Sequence, residues 1–366
     1  MESNYLDFLQ VLVQLETESG KLDAQYHLQS LCIDFVEQRT SDIRISRGSN
    51  YPWTLLTTGT GSAPVMFVCH TDTVPAGNPD AWSSPPFDGA INLEQGTLHG
   101  RGSVDMKGGL VAALATLIRA NAVGGDVAVL LTADEEIGSK GAAVAAEELL
   151  HSEPRLIIIP EATDNHVSLG HRGALWVKIE SRGVAAHGSR PHTGVNAIIT
   201  LAREVIAKLD DFPAASEAYL GKETVNLGVI SGGNAPNIVP DHAELTLDFR
   251  TVGNPQRILD WLSGLHSDLR ITEMVNLAPV HTVQSPVALR DYPAAPAAPY
   301  FTDGSVLKDR FPHSPIIIWG PGNPAMMHAL DETLDLSSLD TAIENFWKAA
   351  SSNSESTGPS ALPSTT

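Results

Sequence analysis

His70-Thr71-Asp72 closes an apolar run, and Asp105-Met106-Lys107-Gly108-Gly109 opens another; Glu135-Glu136, Glu161 and His328 follow downstream. Imidazoles and carboxylates are ligands for zinc and similar ions. A pair of ions about 3.5–4 Å apart needs a carboxylate bridging two ligand sets. The chemistry within reach of this series is therefore that of a two-metal hydrolase centre. Taken singly, each residue has a plainer reading. His70 could be a capped or surface histidine, Asp134-Glu135-Glu136 a solvated acidic turn, and Glu161 an ordinary loop acid. His328, beside two methionines, could be a core histidine. The ordered series, with its members at strand ends, favours an enzyme.

The elements that would position these groups can be read from hydrophobic patterning. Residues 5–18 and 23–39 have helical apolar spacing. Val65–Cys69, Val127–Thr132, Leu156–Ile159 and Pro315–Trp319 are continuous apolar runs, the mark of strands buried on both faces. Leu110–Ala120 predicts a helix. Strands alternating with helices, with polar groups at strand ends, describe a mainly parallel α/β sheet whose site lies at its carboxyl edge. From Ala174 the pattern changes. Strands are expected at Ala174–Ser181, Thr224–Ile230, Ala243–Phe249 and Ile271–Val275, with helices at Val195–Leu209 and Gln256–Leu265. That order is the split βαβ arrangement of a small ferredoxin-like domain. The expected division is a catalytic domain over 1–173 and 281–350, an inserted α+β lid over 174–280, and a disordered Ser/Thr/Pro-rich tail over 351–366. The Pro/Ala stretch Pro293–Pro299 should favour extended backbone.

Composition narrows the partners. Lys and Arg number 23 against 43 Asp and Glu, a formal charge of −20, which argues against nucleic acid or an anionic membrane as the main partner. The first ten residues lack a basic n-region and a long apolar core, so they do not read as a secretion signal. No uninterrupted apolar stretch approaches the ~18 residues of a membrane span. Cys32 and Cys69 are too few for a disulfide framework, and Cys69 reads as a small core residue. A cytoplasmic location is the expectation.

Several blocks together carry a family likeness. They include His70-Thr71-Asp72-Thr73-Val74-Pro75, Gly100-Arg101-Gly102 with Asp105-Met106-Lys107-Gly108, and Asp134-Glu135-Glu136-Ile137-Gly138-Ser139. Pro160-Glu161-Ala162-Thr163, Ala186-His187, Asn237-Ile238-Val239-Pro240, Asp248-Phe249-Arg250, Thr302-Asp303 and His328-Ala329-Leu330-Asp331-Glu332 follow in order. From about residue 60 to 350 the chain resembles the acetylornithine deacetylase / succinyl-diaminopimelate desuccinylase / glutamate carboxypeptidase family of zinc metallopeptidases and amidohydrolases.

The resemblance implies two Zn(2+) ions, with Co(2+) or Mn(2+) as alternatives. Asp105 would bridge them, with His70 and Glu161 on one ion and Glu136 and His328 on the other. It makes Glu135 the general base, and Asp72 the group that holds the second nitrogen of His70. His187 would stabilise the oxyanion, often across a dimer interface, and Asn237 and Arg250 would bind a substrate carboxylate. Arg250 has the alternative of a structural ion pair. The implied enzyme is a lid-to-lid homodimer that cleaves an N-acyl amino acid or dipeptide with a free carboxylate. Deacylation is the first expectation. The alternatives are a dipeptidase or carboxypeptidase, an amide hydrolase or acyl transferase of specialised metabolism, and a binding protein that lost its chemistry. Two departures from the family pattern bear on substrate. His171-Arg172-Gly173 suggests an extra cation at the pocket, and residues 278–301 are short and proline-rich where relatives carry a helix.

Overall fold

The computed structural model describes residues 3–62, 64–149 and 153–352. Helices α1 (Ser3–Val13) and α2 (Leu22–Glu37) lead into β1 (Arg44–Arg47), β2 (Thr54–Thr57) and β3 (Val65–His70). Then come α3 (Gly108–Val123), β4 (Val127–Thr132), α4 (Lys140–Glu148) and β5 (Leu156–Ile159). After the inserted region, α7 (Gly304–Arg310), β10 (Ile316–Ile318) and α8 (Leu336–Ser351) complete this part. The sheet order is β1-β2-β4-β3-β5-β10. Strands β4, β3, β5 and β10 run parallel, and β2 and β1 form an antiparallel edge.

Every residue of β3, β4, β5 and β10 is buried, as expected of strands covered on both faces. Helices α3 and α8 pack together, and Phe346 of α8 meets Phe67 of β3 at a ring distance of 5.0 Å. Ser103–Val123 is long and apolar enough to span a membrane by composition alone. However, 72% of its most apolar 18-residue window is buried inside the fold, which is the place of a core helix. Cys32 and Cys69 are buried and unpaired.

The inserted region is an antiparallel sheet in the order β7-β8-β6-β9, formed by β6 (Gly173–Arg182), β7 (Thr224–Gly232), β8 (His242–Thr251) and β9 (Leu269–Leu277). Strand β8 alternates buried and partly exposed residues along its length, so one sheet face is a core. Helices α5 (Ala197–Glu204) and α6 (Gln256–Ser263) contribute Leu201, Ile258 and Leu262 to that core.

The differences from the sequence reading are local. The helix expected over Val195–Leu209 breaks at Val205 into α5 and a 3₁₀ segment, Ile206–Asp211. Strands β1 and β2 escaped the patterning. The first is a largely exposed, Arg-flanked edge strand, and the second is only four residues long. Helix α8 continues through Ser351, where the disordered tail was expected to begin. Residues 353–366 of that tail lie outside the described residues.

Candidate metal centre and active site

Because β3, β4 and β5 are parallel neighbours, their carboxyl ends share one sheet edge. His70 ends β3, Glu135 and Glu136 follow β4, and Glu161 follows β5. Glu161 is held by close backbone packing. A Cβ on Gly109 would lie 2.1 Å from the carbonyl oxygen of Pro160, and one on Gly320 would lie 2.3 Å from it. Only hydrogen fits on either side of the residue that precedes this carboxylate.

Asp105 sits in the turn before α3. That turn is fixed by the buried carboxylate of Glu332, which accepts the backbone N–H groups of Gly102, Val104 and Asp105 and the guanidinium of Arg101 at 2.8–3.1 Å. Glu332→Ala should destabilise the fold by about 3–5 kcal/mol, because it leaves a buried guanidinium and three amides without their acceptor. Denaturant unfolding measures this. A loss below about 1 kcal/mol, the range of exposed ion pairs, would mean that the turn does not depend on Glu332.

The side chains converge in two sets. His70 Nε2 lies 3.0 Å from Asp105 Oδ1 and 3.2 Å from Glu161 Oε1. His328 Nε2 lies 3.1 Å from Asp105 Oδ2 and 2.9 Å from Glu136 Oε1. Asp105 thus turns one oxygen to each histidine. Within each set, the ligand atoms lie within 4.8 Å of one another, and ligands around a four-coordinate zinc are roughly 3.4 Å apart. Glu161 Oε2 and Glu135 Oε1 are buried with no hydrogen-bond partner, an arrangement that asks for a cation. The donor chemistry and the geometry both fit a pair of divalent ions.

Charge balance points the same way. Burial pushes the Glu161 carboxyl up, and Asp105 adds repulsion. Burial, with Glu136 and Asp303 nearby, lifts Glu135 well above the usual carboxylate range. Burial would raise Asp105 too, but hydrogen bonds from His328 and His70 hold it below its ordinary value. Those bonds, to Asp105 and Glu136, push His328 up to about 10. For His70, burial favours the neutral ring, but Glu161, Asp105 and Asp72 outweigh it and raise the pKa well above its usual value. The carboxylates therefore draw cations, and bound metal competes with protons on the two imidazoles.

A cavity of about 370 Å³ opens over this cluster, lined by Asp105, Glu135, Glu136, Glu161 and His328 on one side. Trp176, Arg250, Tyr300 and Phe301 are among the residues on the other.

Residues 66–352 match the profile of peptidase family M20/M25/M40. The chain belongs to that family. A probable succinyl-diaminopimelate desuccinylase from Staphylococcus aureus is 28% identical over 387 residues, covering 91% of this chain and 93% of that protein. Among solved structures, an M20 metallo-carboxypeptidase from Sulfolobus solfataricus matches with a TM-score of 0.77 at 17% identity, covering 94% of this chain and 98% of that one. A Bacillus subtilis dinuclear metal-binding peptidase from the M20 family matches with a TM-score of 0.66 at 15% identity, covering 95% and 98%. As an M20 family member, the chain is a hydrolase acting on amide bonds, with two of its three candidate metal groups sharing Asp105 in this cluster.

The remaining candidate residues of the M20 chain fall both inside and outside the metal pocket. His70 Nδ1 lies 3.0 Å from the backbone carbonyl of Asp72 and 3.5 Å from its carboxylate. The Asp72 carboxylate also accepts the backbone N–H groups of Glu135 and Glu136 and the Ser19 hydroxyl. It therefore fixes the turn that carries both glutamates. His187 and Asn237 are exposed and do not line the metal pocket. They lie together in the inserted region, where Gly188 N–H donates to the Asn237 carbonyl at 2.7 Å. Arg250 lines the pocket and also pairs with Asp248 at 2.9 Å, so both readings of it have a counterpart. Arg172 does not reach the pocket, since its Nε donates to the Leu220 carbonyl. Sequence reasoning gave no role to Trp176, Tyr300 or Glu332. Glu332 stood within a recognised block, but its anchoring role depends on the fold bringing residue 332 to the 102–105 turn.

Proposed function

We propose that this chain is a cytoplasmic, zinc-dependent amidohydrolase that cleaves the amide of an N-acyl amino acid bearing a free carboxylate. The observation that carries this reading is Asp105, which presents one oxygen to the His70 and Glu161 set and the other to the Glu136 and His328 set. These five residues would hold the metal pair. When bound, the ions supply Lewis acidity, making water a nucleophile near neutral pH and polarising the scissile carbonyl. Glu135, buried and with Oε1 unpaired, takes the proton from the attacking water and returns it to the leaving amine. Asp72 keeps Glu135 oriented through its backbone. Arg250 Nη1 is buried without a partner at the pocket wall and is suited to receive the carboxylate.

Homodimerisation through the lid is part of the proposal. Val184, Val195, Ile199, Val229, Ile230 and Ile238 are large apolar residues of the lid with about half their surface exposed, from 44% to 61%. β7 is also an edge strand, so a second copy could cover both features. Exposed lid histidine His187 and Asn237 would then serve the partner's site. The peptidase alternative is supported by the carboxypeptidase likeness and uses the same machinery.

The deciding experiment is hydrolysis of N-acyl amino acids and dipeptides by chelator-stripped protein, before and after zinc is restored. Zinc-dependent release of free amino acid from the acyl series is expected. Release from dipeptides alone would replace the deacylase reading with the peptidase one, and silence with metal bound would remove both.

A further inference from the structure

A second cavity of about 250 Å³ adjoins the metal pocket, and Pro299, Tyr300 and Pro324 line both. Much of its remaining wall is the proline-alanine connector, including Ala294, Ala297 and Ala298. The connector is extended because Val167 bridges Ala294 and His171 bridges Ala298. The hydroxyls at the rim are already engaged. The single Ser168 Oγ proton has the Gly170 and Pro296 carbonyls within 3.0 and 2.8 Å, and Thr163 Oγ1 donates to the Gly320 carbonyl. No Lys or Arg is among the described residues lining this chamber, and its one histidine, His166, turns Nδ1 to the Asp164 carbonyl at 2.7 Å, so a carboxylate there would meet no permanent cation. Alanine methyls and proline methylenes make up most of the wall it offers.

Tyr300 and Phe301 divide the space. The Tyr300 hydroxyl reaches the Ala162 carbonyl at 3.4 Å, beside the second chamber. The Phe301 ring instead meets Trp176 at 5.9 Å and lies 5.5 Å from the Arg250 guanidinium. Arg250 is the one Lys or Arg among the described residues lining the metal pocket. One end of a substrate therefore meets a cation, and the other meets apolar wall.

We infer that the acyl group of the substrate is an apolar chain or ring lodged past Tyr300 in the second chamber. The carboxylate of the amino-acid portion faces Arg250. This rests on the deacylase reading and narrows it: a succinyl group, with its terminal carboxylate, is a poor occupant of the chamber.

The test uses the full-length, zinc-loaded protein with N-acetyl-, N-butanoyl-, N-hexanoyl-, N-octanoyl-, N-benzoyl- and N-succinyl-alanine. The expected result is that kcat/KM rises by about threefold to fourfold per added methylene until the chamber is full, with the succinyl compound below the butanoyl one. Ala297→Phe, which fills the chamber, should flatten the chain-length series, with thermal unfolding verifying that the variant is folded. A folded Ala297→Phe protein with the slope intact would overturn the assignment, as would rates that fall with chain length or peak at succinyl. Calorimetric binding of N-octanoyl- and N-succinyl-alanine to zinc-loaded Glu135→Gln supplies a readout without turnover, and the octanoyl compound should bind at least tenfold tighter. Absence of hydrolysis with that binding preference present removes the deacylase reading and leaves the chamber's ligand class standing. Hydrolysis without the preference removes the inference alone.

Discussion

Glu135→Gln is expected to keep its metal and lose about 10²–10⁴-fold in kcat, the usual contribution of a positioned general base. The substitution preserves size and the backbone N–H that donates to Asp72, so the turn carrying Glu136 stays in place. What it removes is the proton acceptor. Glu135 lines the metal pocket yet belongs to neither candidate metal group, whereas Glu136, its neighbour in sequence, lies 2.9 Å from His328. On the proposed reading, successive residues in the same turn divide the work, one toward the ions and one toward the reacting water. Elemental analysis for metal and steady-state kinetics on the same preparation make the check. Wild-type turnover would remove the role. Loss of metal along with turnover would instead put Glu135 among the ligands.

Much of this division was legible because it depends on local order. A fully apolar strand must be buried on both faces, and parallel strands must share an edge. His70, Glu135 and Glu161 at the ends of such strands are therefore brought together by topology alone. The four-stranded antiparallel sheet of the inserted region was legible for the same reason, since its strands alternate with period two and its helices do not. What remained hidden depends on long-range meetings. Glu332 meets the 102–105 turn across more than two hundred residues, and the Asp72 carboxylate meets backbone amides. Neither contact leaves a periodic trace in the chain. The proline-alanine connector was legible as extended backbone, but its use as a cavity wall follows only from the pairing of Val167 with Ala294 and His171 with Ala298.

His187→Ala should retain its metal and lose about 10²–10³-fold in kcat, the cost of removing one oxyanion donor. Within one chain His187 is an exposed lid residue whose Nδ1 pairs with Ser189, and it is absent from the walls of the metal pocket. A catalytic role therefore requires that it enter the site of a second copy. The exposed apolar residues on the lid supply a reason for that copy to bind. Mixing His187→Ala with Glu135→Gln separates this arrangement from a purely local effect. In a mixed dimer, one site combines an intact Glu135 with an intact partner histidine, and the other site lacks both. With free exchange of subunits, half the dimers are mixed and each has one working site, so activity should recover to about a quarter of wild type. Two variants that exchange subunits, verified by a size or affinity tag, yet stay inactive together would show that His187 does not act across the interface. Zinc lost from His187→Ala would show instead that the residue supports the metal centre from within its own chain.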